Sequence, residues 1–201
     1  MDIFEDEEDF NFFLHRLKEN LFPESTKNAE LKNKKVYERK LLPPNSFNLI
    51  CYCLMPNHFH LVIEQLSDIP ISKLIAKVCT GFSMYFNKKR DRVGPIFQDA
   101  FKAVCVENNE QLLWLSLYVH NNPLKAGITE NLETYKWSSF NDYKTIENRN
   151  LCQKDLILQQ FKSPESYLEY FTNPELRSKI YNNLIGIQDI LLEEEGSPLL
   201  F

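Results

Sequence analysis

No stretch of this chain is long and apolar enough to span a membrane. Its first residues are acidic (Asp2, Glu5, Asp6, Glu7, Glu8, Asp9), the reverse of a secretory or organellar leader. The five cysteines are odd in number and scattered, and none forms a C-x-x-C pair. A disulfide framework is therefore excluded and a reducing cytoplasm is the expected home. Positive charge is not in excess: the net charge of −5 argues against a nonspecific nucleic-acid binder. There is no internal repeat, no low-complexity segment and no regular strand–helix–strand alternation. What remains is a globular chain of mixed α+β class. Its 201 residues, 43% hydrophobic, suffice for one core with an appendage.

The charge is segregated. Lys73, Lys77, Lys88, Lys89, Arg90, Arg92 and Lys102 face only Asp91 and Asp99 within residues 72–102, and residues 27–40 are also lysine-rich. Acid gathers at the two ends, including Glu193, Glu194 and Glu195. A basic middle fits a local phosphate-binding surface, although a solvated helix face has the same composition.

Helical spacing of Phe10, Phe13, Leu14, Leu17 and Leu21 predicts a helix over 5–21. Residues 47–55 and 58–64 read as a β-hairpin turned at Pro56-Asn57. Pro70 opens a helix with a stripe of Ile71, Leu74, Ile75, Val78, Phe82 and Phe86. Residues 101–106 read as a strand, and Asn108 or Asn109 caps a helix expected to stop at Pro123. From about 145 onward the pattern is helical and acidic. A domain over 1–145 with a helical extension over 146–201 follows.

The densest chemistry lies in His58-Phe59-His60. Side chains two apart on a strand share a face, so His58 and His60 point together while Phe59, Leu61 and Ile63 point to a core. Paired imidazoles suit a metal, and two surface histidines on a half-buried strand would look the same. Cys51 and Cys53 could join them in a zinc site, or be small core residues. On the helix after Asn108, Tyr118 and Asn122 are four apart and share a face, with His120 on the other side as a structural residue or a DNA contact.

Taken together, these segments resemble the single-tyrosine HUH transposases. His58-Phe59-His60 is similar to their histidine–hydrophobe–histidine motif, and Tyr118-Val119-His120-Asn121-Asn122-Pro123-Leu124-Lys125-Ala126-Gly127 to their tyrosine helix. Met55-Pro56-Asn57, Tyr85-Phe86-Asn87, Phe97-Gln98, Phe101-Lys102-Ala103 and Tyr135-Lys136-Trp137-Ser138-Ser139 agree in order, nearest to the REP-associated branch that acts on palindromic repeats. The resemblance implies a ferredoxin-like sheet with helices on one face. It also implies cleavage of single-stranded DNA with Tyr118 as nucleophile, and His58, His60 and Asn122 as ligands of Mg²⁺ or Mn²⁺. The product is a 5′-phosphotyrosine. A catalytically degenerate hairpin-binding module is the alternative.

The implied partner is single-stranded or hairpin DNA, with a possible homodimer and a nucleoid location. DNA phosphates would meet Lys73, Lys77, Lys88, Lys89, Arg90, Arg92 and Lys102, and unpaired bases would stack on Tyr85, Phe97 or Trp137. Relatives begin with a strand before the first helix, whereas this chain starts almost at that helix. The expectation is a sheet lacking its first strand and exposing backbone along a neighbour, unless another segment or subunit fills the gap. A misassigned start codon or a decaying gene would leave the same gap. Asp99-Ala100 stands where relatives carry glycine and arginine.

Overall fold

The computed structural model describes residues 2–24, 41–97, 100–144, 151–182 and 199–200. The lysine-rich stretch 27–40, Asp99 and the acidic run 193–195 lie outside the described residues. The architecture is α+β, as expected, and it divides into two compact units.

The first unit comprises Met1–Asn48 and Glu64–Ala100 and is built on two helices, α1 (Glu7–Leu21) and α2 (Ile71–Lys89). Asp6 caps α1: its carboxylate accepts the Asp9 amide at 3.1 Å, and the Asp9 carboxylate accepts the Asp6 amide at 3.3 Å. Two orphan donors at the helix's amino end are thereby satisfied, and acid in the first turn suits the helix dipole. The stripe of Phe10, Phe13, Leu17 and Leu21 is buried, as is that of Leu74, Ile75, Val78, Phe82 and Phe86. Leu14 and Ile71, expected on those stripes, are only half-buried at the rim. Phe4 closes the pair, with ring centroids 5.3 Å from Phe13 and 5.2 Å from Phe82. Gly81 leaves room for the Arg16 guanidinium, which a Cβ there would push aside and which is ion-paired to Glu19.

The second unit comprises Leu49–Ile63 and Phe101–Phe201. Strands β1 (Phe47–Met55) and β2 (His58–Gln65) form the expected hairpin across Pro56-Asn57. The predicted strand at 101–106 shrinks to β3 (Lys102–Ala103). The sheet order is β1-β2-β4-β3, where β4 is Leu199–Leu200. A strand from the far end of the chain thus lies between β2 and β3, parallel to both, with Leu199 in register with His60 and with Lys102.

The outer edge of β1 is occupied. Trp137 accepts the Leu54 amide at 2.9 Å and Ser139 Oγ accepts the Tyr52 amide at 2.9 Å. The Tyr135 hydroxyl donates to the Leu54 carbonyl at 2.6 Å, the Tyr143 hydroxyl to the Ile50 carbonyl at 2.8 Å, and the Gln153 amide to the Leu49 carbonyl at 2.7 Å. Backbone groups along that edge are thus paired by Tyr135, Trp137, Ser139, Tyr143 and Gln153.

Helix α3 (Asn109–Lys125) begins at Asn108, whose side chain accepts the Gln111 amide at 2.8 Å. It runs through Pro123, where the sequence predicts a stop. Proline removes one amide and does not end the helix, because Ala126 still donates to the Asn122 carbonyl at 2.9 Å. Termination comes at Gly127, whose φ of +66° is the left-handed conformation that glycine adopts without strain. Three short helices follow: α4 (Asp155–Leu158), α5 (Pro164–Thr172) and α6 (Pro174–Asn182). Ile157, Tyr167 and Phe171 from this region share a buried core with Leu115, Leu117 and Val119 of α3 and Ile50 and Val62 of the hairpin.

Candidate active site

The histidine pair opens β2 immediately after the hairpin turn. Strand alternation sends Phe59 and Leu61 fully into the core, while His58 and His60 share the other side. Their Nε2 atoms converge to 3.0 Å, with the rings perpendicular at a centroid distance of 4.7 Å. Two nitrogens bound at about 2.1 Å to one ion, at a right angle, would stand about 3 Å apart. The observed separation matches that chord.

The protonation pattern also suits a cation. His58 Nδ1 lies 2.7 Å from Asn57 Oδ1. An amide oxygen only accepts, so Nδ1 carries the hydrogen and Nε2 presents its lone pair. Burial holds the His58 imidazole down at about 4. His60 is pushed well below its ordinary value by burial first, then by the His58 and Lys125 charges. Both rings are neutral at physiological pH, the form that ligates. His60 Nδ1 is buried without a hydrogen-bond partner among the described residues.

Helix α3 supplies the other half. The Tyr118 ring meets His60 edge to face, at 5.9 Å and 81°. Asn122 lies one turn further along the same face, and its Nδ2 donates to the Tyr118 carbonyl at 3.0 Å. That bond fixes the carboxamide and directs its oxygen away from the helix backbone. Lys125 completes the stripe, with its ammonium 5.8 Å from the Tyr118 ring centroid. The structure thus brings His58, His60 and Tyr118 together and sets Asn122 on the tyrosine's face of α3.

His120 belongs to the fold and is not exposed for a DNA contact. It is fully buried, with Nδ1 2.7 Å from the Tyr167 hydroxyl and Nε2 2.8 Å from Ser139 Oγ. Burial lowers its imidazole to about 3. The helix that carries Tyr118 is thereby tied to both α5 and the segment sealing β1.

Cys51 and Cys53 are fully buried core residues, and desolvation drives both thiols up, away from the thiolate that zinc requires. Among the described residues no three His, Cys, Asp or Glu side chains gather as a metal-holding group, so the Cys51–Cys53–His58–His60 zinc site is not formed.

The cations of α2 belong to the other unit and have different fates. Lys89 reaches Asp6 at 2.7 Å, Glu8 at 2.8 Å and Asp9 at 3.2 Å. Arg90 reaches Glu5 at 2.7 Å and Asp9 at 2.6 Å, with its guanidinium 3.9 Å above the Phe86 ring. These two, expected from the sequence to be DNA contacts, are ion-paired with the N-terminal acids. Lys73 and Lys88 are exposed, Lys77 and Lys102 half-buried, and Arg92 hydrogen-bonds Asn87 at 3.3 Å. Of the proposed base-stacking rings, Tyr85 already has one face on Phe12, at 3.9 Å and 8°. Phe97 lies 6.2 Å from Phe82, and Trp137 is half-buried with Lys136 over its ring at 5.0 Å.

Two residues beside the site lie within the quoted motifs but are given no role by the sequence: Asn57, directly before the first histidine, and Lys125, seven residues after Tyr118.

Residues 25–122 match the family model of IS200-like transposases, a span that takes in both histidines and Tyr118 and ends on Asn122. No curated protein and no solved structure matches the chain. The match over that span supports membership of the single-tyrosine HUH transposase family. The match points, in general terms, to a transposase, a class of protein that binds and cleaves DNA. No helix among the described residues is long and apolar enough to cross a membrane.

Proposed function

We propose that this protein nicks and rejoins single-stranded DNA beside a hairpin, using Tyr118 as nucleophile and a divalent cation held by His58, His60 and Asn122. One observation carries the reading: two neutral imidazoles bring their Nε2 atoms to 3.0 Å from each other, with the Tyr118 ring packed on His60. Two nitrogens and a carboxamide oxygen suit Mg²⁺ or Mn²⁺, manganese being the more tolerant of imidazole. Bound there, the ion would offset negative charge gathering on the phosphate oxygens.

Tyr118 Oη forms a bond to phosphorus as the bond from phosphorus to the 3′ oxygen breaks. The phenol proton leaves to solvent, and the 3′ oxygen takes up a proton to become a hydroxyl. A phenol, with its pKa near 10, is a better leaving group than an alcohol, so the phosphotyrosine keeps enough energy for a 3′-hydroxyl to reseal the strand. Seating nucleophile and carboxamide on one helix fixes their separation before DNA arrives. Palindromic repeats, the substrate of the REP-associated branch, are the proposed target. Lys73, Lys77, Lys88, Arg92 and Lys102 are the proposed phosphate contacts.

The test is a labelled hairpin oligonucleotide with a single-stranded flank, mixed with Mn²⁺ and protein and run on a denaturing gel. A covalent adduct is expected with the parent protein and none with Tyr118→Phe, which should still bind the hairpin. Binding without any adduct from the parent would identify a hairpin-binding module instead.

A further inference from the structure

Tyr118, Asn122 and Lys125 occupy positions i, i+4 and i+7 of α3 and so form one stripe along it. Along this stripe the surroundings change from dry to wet. Tyr118 and Asn122 are buried, whereas Lys125 is exposed in the last helical turn. Its ammonium nonetheless turns back over the Tyr118 ring, 5.8 Å from the centroid. A positive charge thus stands close to the tyrosine that would meet a phosphodiester. The six α2 and post-α2 cations, Lys73 to Arg92, lie in the other compact unit. Lys125 shares a unit with the histidines and the tyrosine.

We propose that Lys125 contacts the DNA phosphate presented to Tyr118, holding its non-bridging oxygens while the phenol approaches phosphorus. The inference deepens the nicking reading and rests on it for the identity of that phosphate. A lysine is a compact point charge with rotatable donors, which suits an anion that changes geometry during displacement. A bland role is also available, since any cation in a last helical turn interacts favourably with the helix dipole. The two roles separate by experiment, because the dipole does not distinguish one DNA linkage from another.

The probe is a hairpin oligonucleotide with a single-stranded flank, chosen as the tightest binder from a randomised library. It is made with one neutral methylphosphonate at each flank position in turn. Binding is measured to Tyr118→Phe, so that nothing is cut, with and without Lys125→Gln or Lys125→Arg. One linkage should couple: neutralising it weakens binding about tenfold when Lys125 is present and less than about twofold after Lys125→Gln, with Lys125→Arg restoring the larger loss. That linkage should be the one the parent protein joins to Tyr118. Lys125→Gln alone should slow adduct formation at saturating DNA by roughly 10- to 100-fold. Equal losses at every linkage in both proteins, or coupling at a linkage other than the one cut, overturns the proposal. If the parent cuts nothing while one linkage still couples to Lys125, the contact stands and the nicking reading fails.

Discussion

In the unit built on α1 and α2, the buried carboxylate of Asp9 is paired with cations; in the unit built on the hairpin and α3, the buried imidazoles are kept neutral. Asp9 is wholly enclosed, and burial alone would raise its carboxyl. Hydrogen bonds from Arg90, the Glu5 amide and Lys89 outweigh that and hold it below the usual carboxylate range. His58, His60 and His120 have no carboxylate partner among the described residues and are depressed by desolvation. A cation quenched by carboxylates is unavailable to a phosphate, and an imidazole kept neutral is available to a metal. The comparison separates cations already paired within the fold from imidazoles kept neutral, which their density along the chain does not.

The largest expected effect breaks the first half of this comparison. Asp9→Ala leaves Lys89 and Arg90 without their enclosed partner and removes half of the α1 capping box, costing about 2–4 kcal/mol in urea unfolding. The pH dependence has a definite sign. A carboxyl depressed in the folded state contributes stability above its unfolded value near 4, lost as pH falls through the lower folded value. Asp9→Ala should therefore shrink the parent's loss of stability below pH ~4.

The second half is tested by His120→Asn. A buried imidazole held at about 3 opposes protonation that the unfolded chain accepts near 6.5, so stability is lost as pH falls from ~6.5 toward 3. Removing this group should flatten the limb by up to about 1.4 kcal/mol per pH unit, read from urea midpoints. An unchanged slope would mean that His120 is not enclosed as described.

Smaller effects sharpen the boundary. Asn57→Ala frees the His58 ring to rotate and should weaken Mn²⁺ binding about 10- to 100-fold by calorimetry, with stability little changed. Lys88→Gln should lower the slope of log affinity against log salt for hairpin DNA by about one contact's worth, roughly 0.7–0.9. Lys89→Gln should leave that slope alone and lower stability instead.

Much of the site is legible in the sequence because it depends on local period. Alternation along a strand places His58 and His60 together, and four-residue spacing puts Tyr118 and Asn122 on one face. The departures come from partners remote in sequence. Lys89 and Arg90 look like a phosphate-binding run until Glu5, Asp6, Glu8 and Asp9 meet them from some 80 residues away. Pro123 reads as a stop because proline lacks an amide, yet α3 loses only that one donor and carries on for two residues. Nothing in the spacing of Tyr135, Ser139 and Tyr143 announces that their hydroxyls satisfy the backbone of β1, because no periodicity encodes a bond across some 80 or 90 residues.

That hydroxyl seam has a consequence for how the protein tolerates change. Where one strand borders another, pairing runs through main-chain atoms and survives nearly any substitution. Along the outer edge of β1 much of it hangs on side-chain hydroxyls, beside the main-chain bonds to Trp137 and Gln153, so a lesion as small as Tyr143→Phe uncovers the Ile50 carbonyl and starts to unzip a border that otherwise deters strand-to-strand clumping. Drift at these three positions should show first as insolubility, before any loss in the chemistry proposed for Tyr118.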